Sequence, residues 1–409
     1  MKKALQNCLL IGLLISNTPL MAQSWWSQIS NTTENLMNIN FYSDYSGIAF
    51  GDTLSTMVNS SNQGFAWDML NPIFIEGDLN SSAYLDANTI VAVGVHDIVG
   101  GNGVVLKSTN AGNSWTADTG IPEKLFDVSF ANSTSGWISG ENGYIARTTD
   151  GGTSWLQLTT GTGEDIFSIY FVNANEGWAV GTVAADAVIL HTTNAGTNWT
   201  EQVSGITEPL SSVFFTDTLN GWAVGASGTI LATTDAGVNW NPQVSNTLND
   251  LFDVCFLDAN RGWAVGGAGT VLKTTDGGIN WIIEASNTGT DIQSITMRND
   301  SLGWFCGDGG IIHVYRNNPP NSINETINSM SELMVFPNPA TDRISLKLNS
   351  GHGNWKMELY DATGRLVIDR AVLENSSVII DRGKLESGAY VLVAKDNHGR
   401  YHTQKVIFK

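Results

Sequence analysis

From residue 125 the chain falls into apolar runs of five or six residues, broken by clusters of Asp, Asn, Gly and Thr. Within the runs apolar and small polar positions alternate, as in a half-buried strand. No stretch keeps the spacing of an amphipathic helix. One unit predicts strands at 126–130, 136–140 and 144–148, with a fourth starting at Ser154. Between the third and fourth lies Thr148-Thr149-Asp150-Gly151-Gly152-Thr153-Ser154-Trp155, where an Asp can bond its own turn amides and glycines permit positive φ.

The unit repeats. A closing tryptophan stands at 67, 115, 155, 199, 240 and 281. An apolar residue inside the second strand recurs seven times, at Ile48, Ile90, Trp137, Trp178, Trp222, Trp263 and Trp304. A period near forty with four short strands per unit predicts a propeller blade rather than a helical repeat. The seventh copy stops after its third strand, near residues 311–315. Its missing fourth strand is found at the other end of the chain. Trp25-Trp26-Ser27-Gln28-Ile29-Ser30 matches Trp199-Thr200-Glu201-Gln202-Val203-Ser204 and Trp240-Asn241-Pro242-Gln243-Val244-Ser245. The N-terminal strand is therefore expected to complete the last blade and close a seven-membered ring, leaving no open edge between first and last blades.

At the N-terminus, Lys2 and Lys3 precede an apolar stretch at 8–15, and Ala22 follows. That is the layout of a signal peptide over 1–22, and the stretch is too short to span a bilayer. No transmembrane segment is expected in the mature chain. The propeller, 23–317, carries 7 Lys+Arg against 29 Asp+Glu, while 318–409 carries 11 against 10. Such acidity excludes nucleic acid and anionic membranes as expected partners, because both need basic patches. Beyond the leader only Cys255 and Cys306 remain, so disulfides are not the scaffold. His96, His191 and His313 lie in different blades without metal-ligand spacing.

The turn Ser/Thr-x-Asp/Asn-x-Gly-x-x-Trp begins at Ser60, Ser108, Thr148, Thr192, Thr233 and Thr274. It resembles the Asp-box, or BNR, repeat of sialidases, xyloglucan-cleaving glycosidases and sortilin-type receptors. Joined to the Gly-Trp-Ala-Val-Gly strand, the unit resembles most closely the photosystem II assembly and stability factor family of seven-bladed propellers. The resemblance implies the fold and a structural role for the box aspartates; one propeller scaffold carries many activities. The arginine-lined partner face of that family is unmatched, since Arg147, Arg261, Arg298 and Arg316 are scattered. The arginine triad of sialidases is unmatched for the same reason. Nor does a zinc spacing, nucleophile elbow or phosphate loop occur.

Beyond Tyr315, residues 318–334 read as a proline-bearing polar linker. Residues 335–409 then alternate as strands between Asp/Gly turns, predicting a small antiparallel β-sandwich. Pro337-Asn338-Pro339, Tyr360-Asp361-Ala362-Thr363-Gly364-Arg365 and Ser387-Gly388-Ala389-Tyr390 resemble the type A sorting domain of the type IX secretion system. That resemblance implies handling by the secretion machinery and delivery, after the periplasm, to the cell surface or the medium.

The expectation is an all-β protein: a seven-bladed propeller plus a small C-terminal antiparallel β-sandwich. It is expected to be a secreted, non-enzymatic binding or adhesion module for an extracellular protein or glycan. A glycan-active hydrolase and an assembly factor are the alternatives. Just before each innermost strand stand Asn35, Asp78, Lys124, Asp165, Pro209, Asp250 and Asp291. They are expected to ring one mouth of the central tunnel, beside the long loop of blade 2 that contains His96 and Asp97. Asp78, His96, Asp97, Lys124, Asp165, Asp250 and Asp291 are thus the candidate ligand-binding residues. Converging carboxylates there could take Ca²⁺ or a cationic group; no other cofactor is expected.

Overall fold

The computed structural model describes residues 24–52, 56–70, 77–96, 101–183, 186–316, 333–336, 340–348, 355–361, 365–372, 377–383, 385–396 and 401–409. The expected signal peptide, nearly all of the linker, and Asp97 lie outside these.

Residues 24–316 form seven antiparallel sheets of four strands, A to D from the axis outward. Blade 1 is Leu36–Phe41, Gly47–Gly51, Met57–Ser60 and Asp68–Met69. The A strands of blades 2 to 6 are Leu79–Tyr84, Leu125–Phe130, Ile166–Phe171, Leu210–Phe215 and Leu251–Phe256. Blade 7 takes Ile292–Asn299, Leu302–Gly307 and Ile311–Arg316 from the end of the repeat, and its D strand, Ser24–Gln28, from the start. Ser24 pairs with Arg316 and Gln28 with Ile312, so the ring closes between chain ends as the repeat predicts. Each A strand lies against the next, and that of blade 7 against that of blade 1.

The Gly-Trp pair of strand B explains how blades pack. Phe171, ending strand A of blade 4, lies over Gly177 of its own blade, where any Cβ would strike the ring. Its other face stacks on Trp137 of blade 3, centroids 3.5 Å apart and 4° from parallel. The box tryptophan Trp199 meets the same ring edge-on at 5.9 Å. Glycine makes room for the phenylalanine, and tryptophan reaches into the next blade. The same stack joins Trp178 to Phe215 and Trp222 to Phe256, each at 3.6 Å. Such large buried rings dominate core energetics.

The box turns are scaffold. Asp150 Oδ1 accepts from the amides of Thr153 and Ser154, both at 2.9 Å, and from Thr148 Oγ1 at 2.8 Å. These bonds, with that of Ser154 Oγ, hold its carboxyl well below the usual carboxylate range. Ala236 carries a positive φ of 63° in the turn of blade 5, and its carbonyl accepts from Trp178 Nε1 of blade 4 at 3.1 Å.

The chain divides into two compact units, 1–318 and 319–409. The second unit is an antiparallel sandwich. One sheet holds Leu333–Phe336, Arg343–Leu348 and Ser377–Asp381; the other holds Leu366–Val372, Trp355–Tyr360, Gly388–Asp396 and Tyr401–Phe408. Ile344, Met357, Leu359, Leu392 and Phe408 fill its core. Tyr390 of the Ser-Gly-x-Tyr block donates its hydroxyl to the Glu386 carbonyl at 2.8 Å, and Arg365 closes the Tyr-Asp turn on Asp361 at 2.9 Å.

Candidate binding face of the propeller

Every A strand carries a bulge between its first and third residues. The extra residue breaks the alternation and re-aims the side chains that follow. As a result two successive residues of every blade face the axis. The bulge residues are Met37, Asn80, Phe126, Phe167, Ser211, Phe252 and Gln293; the next ring is Asn38, Ser81, Asp127, Ser168, Ser212, Asp253 and Ser294. Together they line a cavity of about 110 Å³. A second cavity, about 360 Å³, shares the lower ring and continues along the axis past Ser129, Tyr170, Phe214 and Cys255. Phe126 and Phe167 meet edge to face at 5.4 Å.

Two carboxylates stand in the lower ring, and each clasps three blades. Asp127 Oδ1 accepts from Ser81 Oγ of blade 2 at 2.7 Å, and Oδ2 from Ser168 Oγ and the Ile169 amide of blade 4, both at 2.9 Å. Asp253 does the same three blades on. It accepts from Ser212 Oγ of blade 5 and Ser294 Oγ of blade 7, both at 3.1 Å, and from the Ile295 amide at 2.9 Å. The amides of Val128 and Val254 add a fourth bond to each at 2.8 Å. Burial nevertheless outweighs these bonds: it pushes the Asp253 carboxyl up to about 6 and raises that of Asp127. No Lys, Arg or His lines either cavity.

The residues singled out before the A strands sit one step above this channel. Asp165, Asp250 and Asp291 accept from the amides of Asn142, Ser227 and Ala268 of the preceding blade at 3.0, 2.8 and 2.8 Å. Those three residues occupy the left-handed region, φ 55°, 56° and 52°, in tight B–C turns. Asn35 plays the same part toward Gly309 at 2.8 Å. Lys124 pairs with Glu141 at 2.8 Å, which raises its pKa. The Asp78 carbonyl accepts from the Val95 amide at 2.9 Å, and Pro209 offers only its carbonyl, to Ala226. Asp165, Asp250 and Asp291 therefore stitch neighbouring blades together, while the cavity-lining groups come from the two rings below. The His96 amide donates to the Asn102 carbonyl at 2.8 Å, closing the base of the blade 2 loop.

The remaining candidates are dispersed. His191 stacks on Trp178 and lies 3.3 Å from Glu176; His313 is buried against Phe305. Arg261 pairs with Asp258 and Asp300, Arg298 with Asp44, while Arg147 covers Trp137 and Arg316 covers Phe65. Cys255 and Cys306 are free thiols, both pushed up by burial. Among the described residues no three His, Cys, Asp or Glu side chains gather in a way that could hold a metal ion.

Ring and site thus define an all-β, seven-bladed propeller with a polar axial channel. Residues 116–207 and 241–316 match the family described as photosynthesis system II assembly factor YCF48, and residues 334–409 match the secretion system C-terminal sorting domain. Over those residues the propeller resembles that family, and the sorting domain implies export. Among solved structures it is similar to YCF48 bound to D1 peptide, with 20% identity, a TM-score of 0.60, and coverage of 74% of this chain and 100% of that one. YCF48 from Cyanidioschyzon merolae follows at 17% identity and 0.59, covering 72% and 98%. The WD40 propeller domain of Doa1 is similar at 12% and 0.59, covering 73% and 96%. Identities this low show the fold alone. No curated protein sequence matches the chain.

Proposed function

We propose that this chain is an exported, non-enzymatic binding propeller that recognises a polypeptide partner at the channel face. The sorting domain supports delivery by the type IX system to the cell surface or the medium, after passage through the periplasm. The observation that carries the binding reading is the state of Asp127 and Asp253. They are the two carboxylates lining the cavities, and each is held by four hydrogen bonds that tie three blades. A glycosidase needs a pair of carboxyl groups free to exchange protons with substrate across roughly 5–10 Å. These two are committed to the frame. The similar YCF48 structure with a bound D1 peptide supports a polypeptide rather than a glycan as ligand.

The test is binding of the purified mature protein to peptide and glycan arrays, compared with two variants. Phe126→Ala/Phe252→Ala alters the channel mouth, and Val203→Ser alters an exposed outer edge. Saturable peptide binding lost only in the first variant is the expected result. Binding untouched by that variant would move the site off this face, and release of a product would overturn the non-enzymatic reading.

A further inference from the structure

The chemistry of the channel mouth is specific enough to name what enters it. We propose that the upper cavity receives the cationic end of an arginine or lysine side chain from the partner. This rests on the binding reading above and deepens it.

The lower ring is oriented. Ser81 and Ser168 donate their hydroxyl protons to Asp127, and Ser212 and Ser294 donate theirs to Asp253; Ser168 and Ser294 also accept from the Val213 and Ile39 amides at 3.4 Å, which leaves the oxygen lone pairs of Ser81 and Ser212 for the cavity. The wall of the cavity is thereby rich in acceptors, with the two carboxylates directly behind. An anion would meet lone pairs there, whereas a group bearing several N–H donors meets matching acceptors. Above this ring, Phe126, Phe167 and Phe252 border the same cavity. Aromatic faces attract a desolvated cation, and guanidinium most of all among side chains. Charge agrees on the larger scale: 29 acidic against 7 basic residues in 23–317 draw a cationic partner toward the propeller.

Size agrees as well. About 110 Å³ is the share of roughly four liquid waters at ~30 Å³ each, matching the four heavy atoms of a guanidinium. A bare Ca²⁺ fits poorly, since it requires about six to eight oxygens and those of Asp127 and Asp253 are already taken up by four hydrogen bonds to each residue. Lys124, just before strand A of blade 3, is already paired with Glu141.

The experiment is an NMR titration of the mature protein with four blocked pentapeptides, Gly-Gly-X-Gly-Gly. X is arginine, lysine, citrulline or norleucine, and the ring resonances of Phe126, Phe167 and Phe252 are followed. The arginine and lysine peptides are expected to shift these resonances saturably. Citrulline, isosteric but neutral, should bind at least tenfold more weakly, and norleucine should not bind. Phe126→Leu/Phe252→Leu, which keeps apolar bulk but removes the π faces, should weaken the arginine peptide several-fold. Equal binding of arginine and citrulline, or no shift with either cation, would overturn the proposal. Product formation on any substrate would instead sink the binding-module reading and leave these titrations standing.

Discussion

Trp304 of the last blade stacks on Phe41 of the first, ring centroids 3.5 Å apart and planes 7° from parallel. Trp304 Nε1 also donates to the Gln63 carbonyl at 3.1 Å, and Trp67 packs edge-on against the same phenylalanine at 5.7 Å. The seam that closes the ring thus uses the same joint as the seams between blades 3 and 4, 4 and 5, and 5 and 6. Trp304→Ala would leave a large cavity at this seam, and the expected cost is about 3–5 kcal/mol. Urea unfolding followed by fluorescence checks this; a loss below about 1 kcal/mol would mean the seam adds little to the ring.

Closure also depends on the N-terminal strand. Trp25 is almost fully buried between Phe305 and Tyr315, and Gln28 Oε1 accepts from Trp67 Nε1 of blade 1 at 3.2 Å. Deleting residues 23–30 removes all of this and exposes the edge of Ile311–Arg316. The truncated protein is expected to melt several degrees lower and to self-associate. An unchanged melting temperature would contradict the closure.

The two clasps predict an unusual pH response. The Asp253 carboxyl sits at about 6 in the fold, above its ordinary value near 3.9. A group whose folded pKa is raised contributes stability that is full below the unfolded value and is lost as pH rises through the folded one. Between pH 4 and pH 7 the propeller therefore loses stability at this site, and Asp127 acts in the same direction. Asp253→Asn removes the titration but turns a donor toward the Val254 or Ile295 amide. The variant is expected to be less stable at pH 5, by about 1–3 kcal/mol for the unsatisfied group. Its difference from wild type should shrink by roughly 2–4 °C in melting temperature on going to pH 7. A constant difference across that window would show that Asp253 does not titrate there.

The rim acids test differently. Asn35 already performs with an amide oxygen what Asp165, Asp250 and Asp291 perform with carboxylates. The triple change Asp165→Asn/Asp250→Asn/Asp291→Asn keeps an acceptor for each turn amide, so the melting temperature should move by only a few degrees. Calorimetry with Ca²⁺ on both proteins checks the cation expected at this rim: heat in the wild type that vanishes in the variant would locate it there.

Much of this was legible beforehand, and what was hidden has a physical cause. The split seventh blade followed from the match of Trp-Trp-Ser-Gln-Ile-Ser with Trp-Asn-Pro-Gln-Val-Ser, because both segments make the same strand with the same glutamine latch; Gln243 Oε1 accepts from Trp281 as Gln28 does from Trp67. The channel lining was not legible. Phe126 and Phe167 read as ordinary apolar positions next to an alternating strand, and only the bulge turns them and Asp127 toward the axis together. Bulges leave no mark in a pattern of apolar and polar letters. Likewise Gly136 and Trp137 were visible as a repeat, yet their logic lies in two different blades: the glycine clears Phe130 of its own sheet, and the tryptophan stacks on Phe171 of the next.

The tail should be separable. Removing residues 335–409 leaves all seven sheets of the propeller intact, so the truncated chain is expected to fold. In its native host it should collect in the periplasm instead of reaching the surface. Surface delivery without the tail would contradict the sorting assignment.

The most direct test of the account as a whole is product analysis under binding conditions. Mature protein at stoichiometric amounts would be incubated with a panel of peptides and glycans, and both retention and mass of every panel member measured. The account predicts saturable retention of cationic peptides with every mass unchanged. A new mass that forms in proportion to protein and time would contradict it and make this propeller an enzyme.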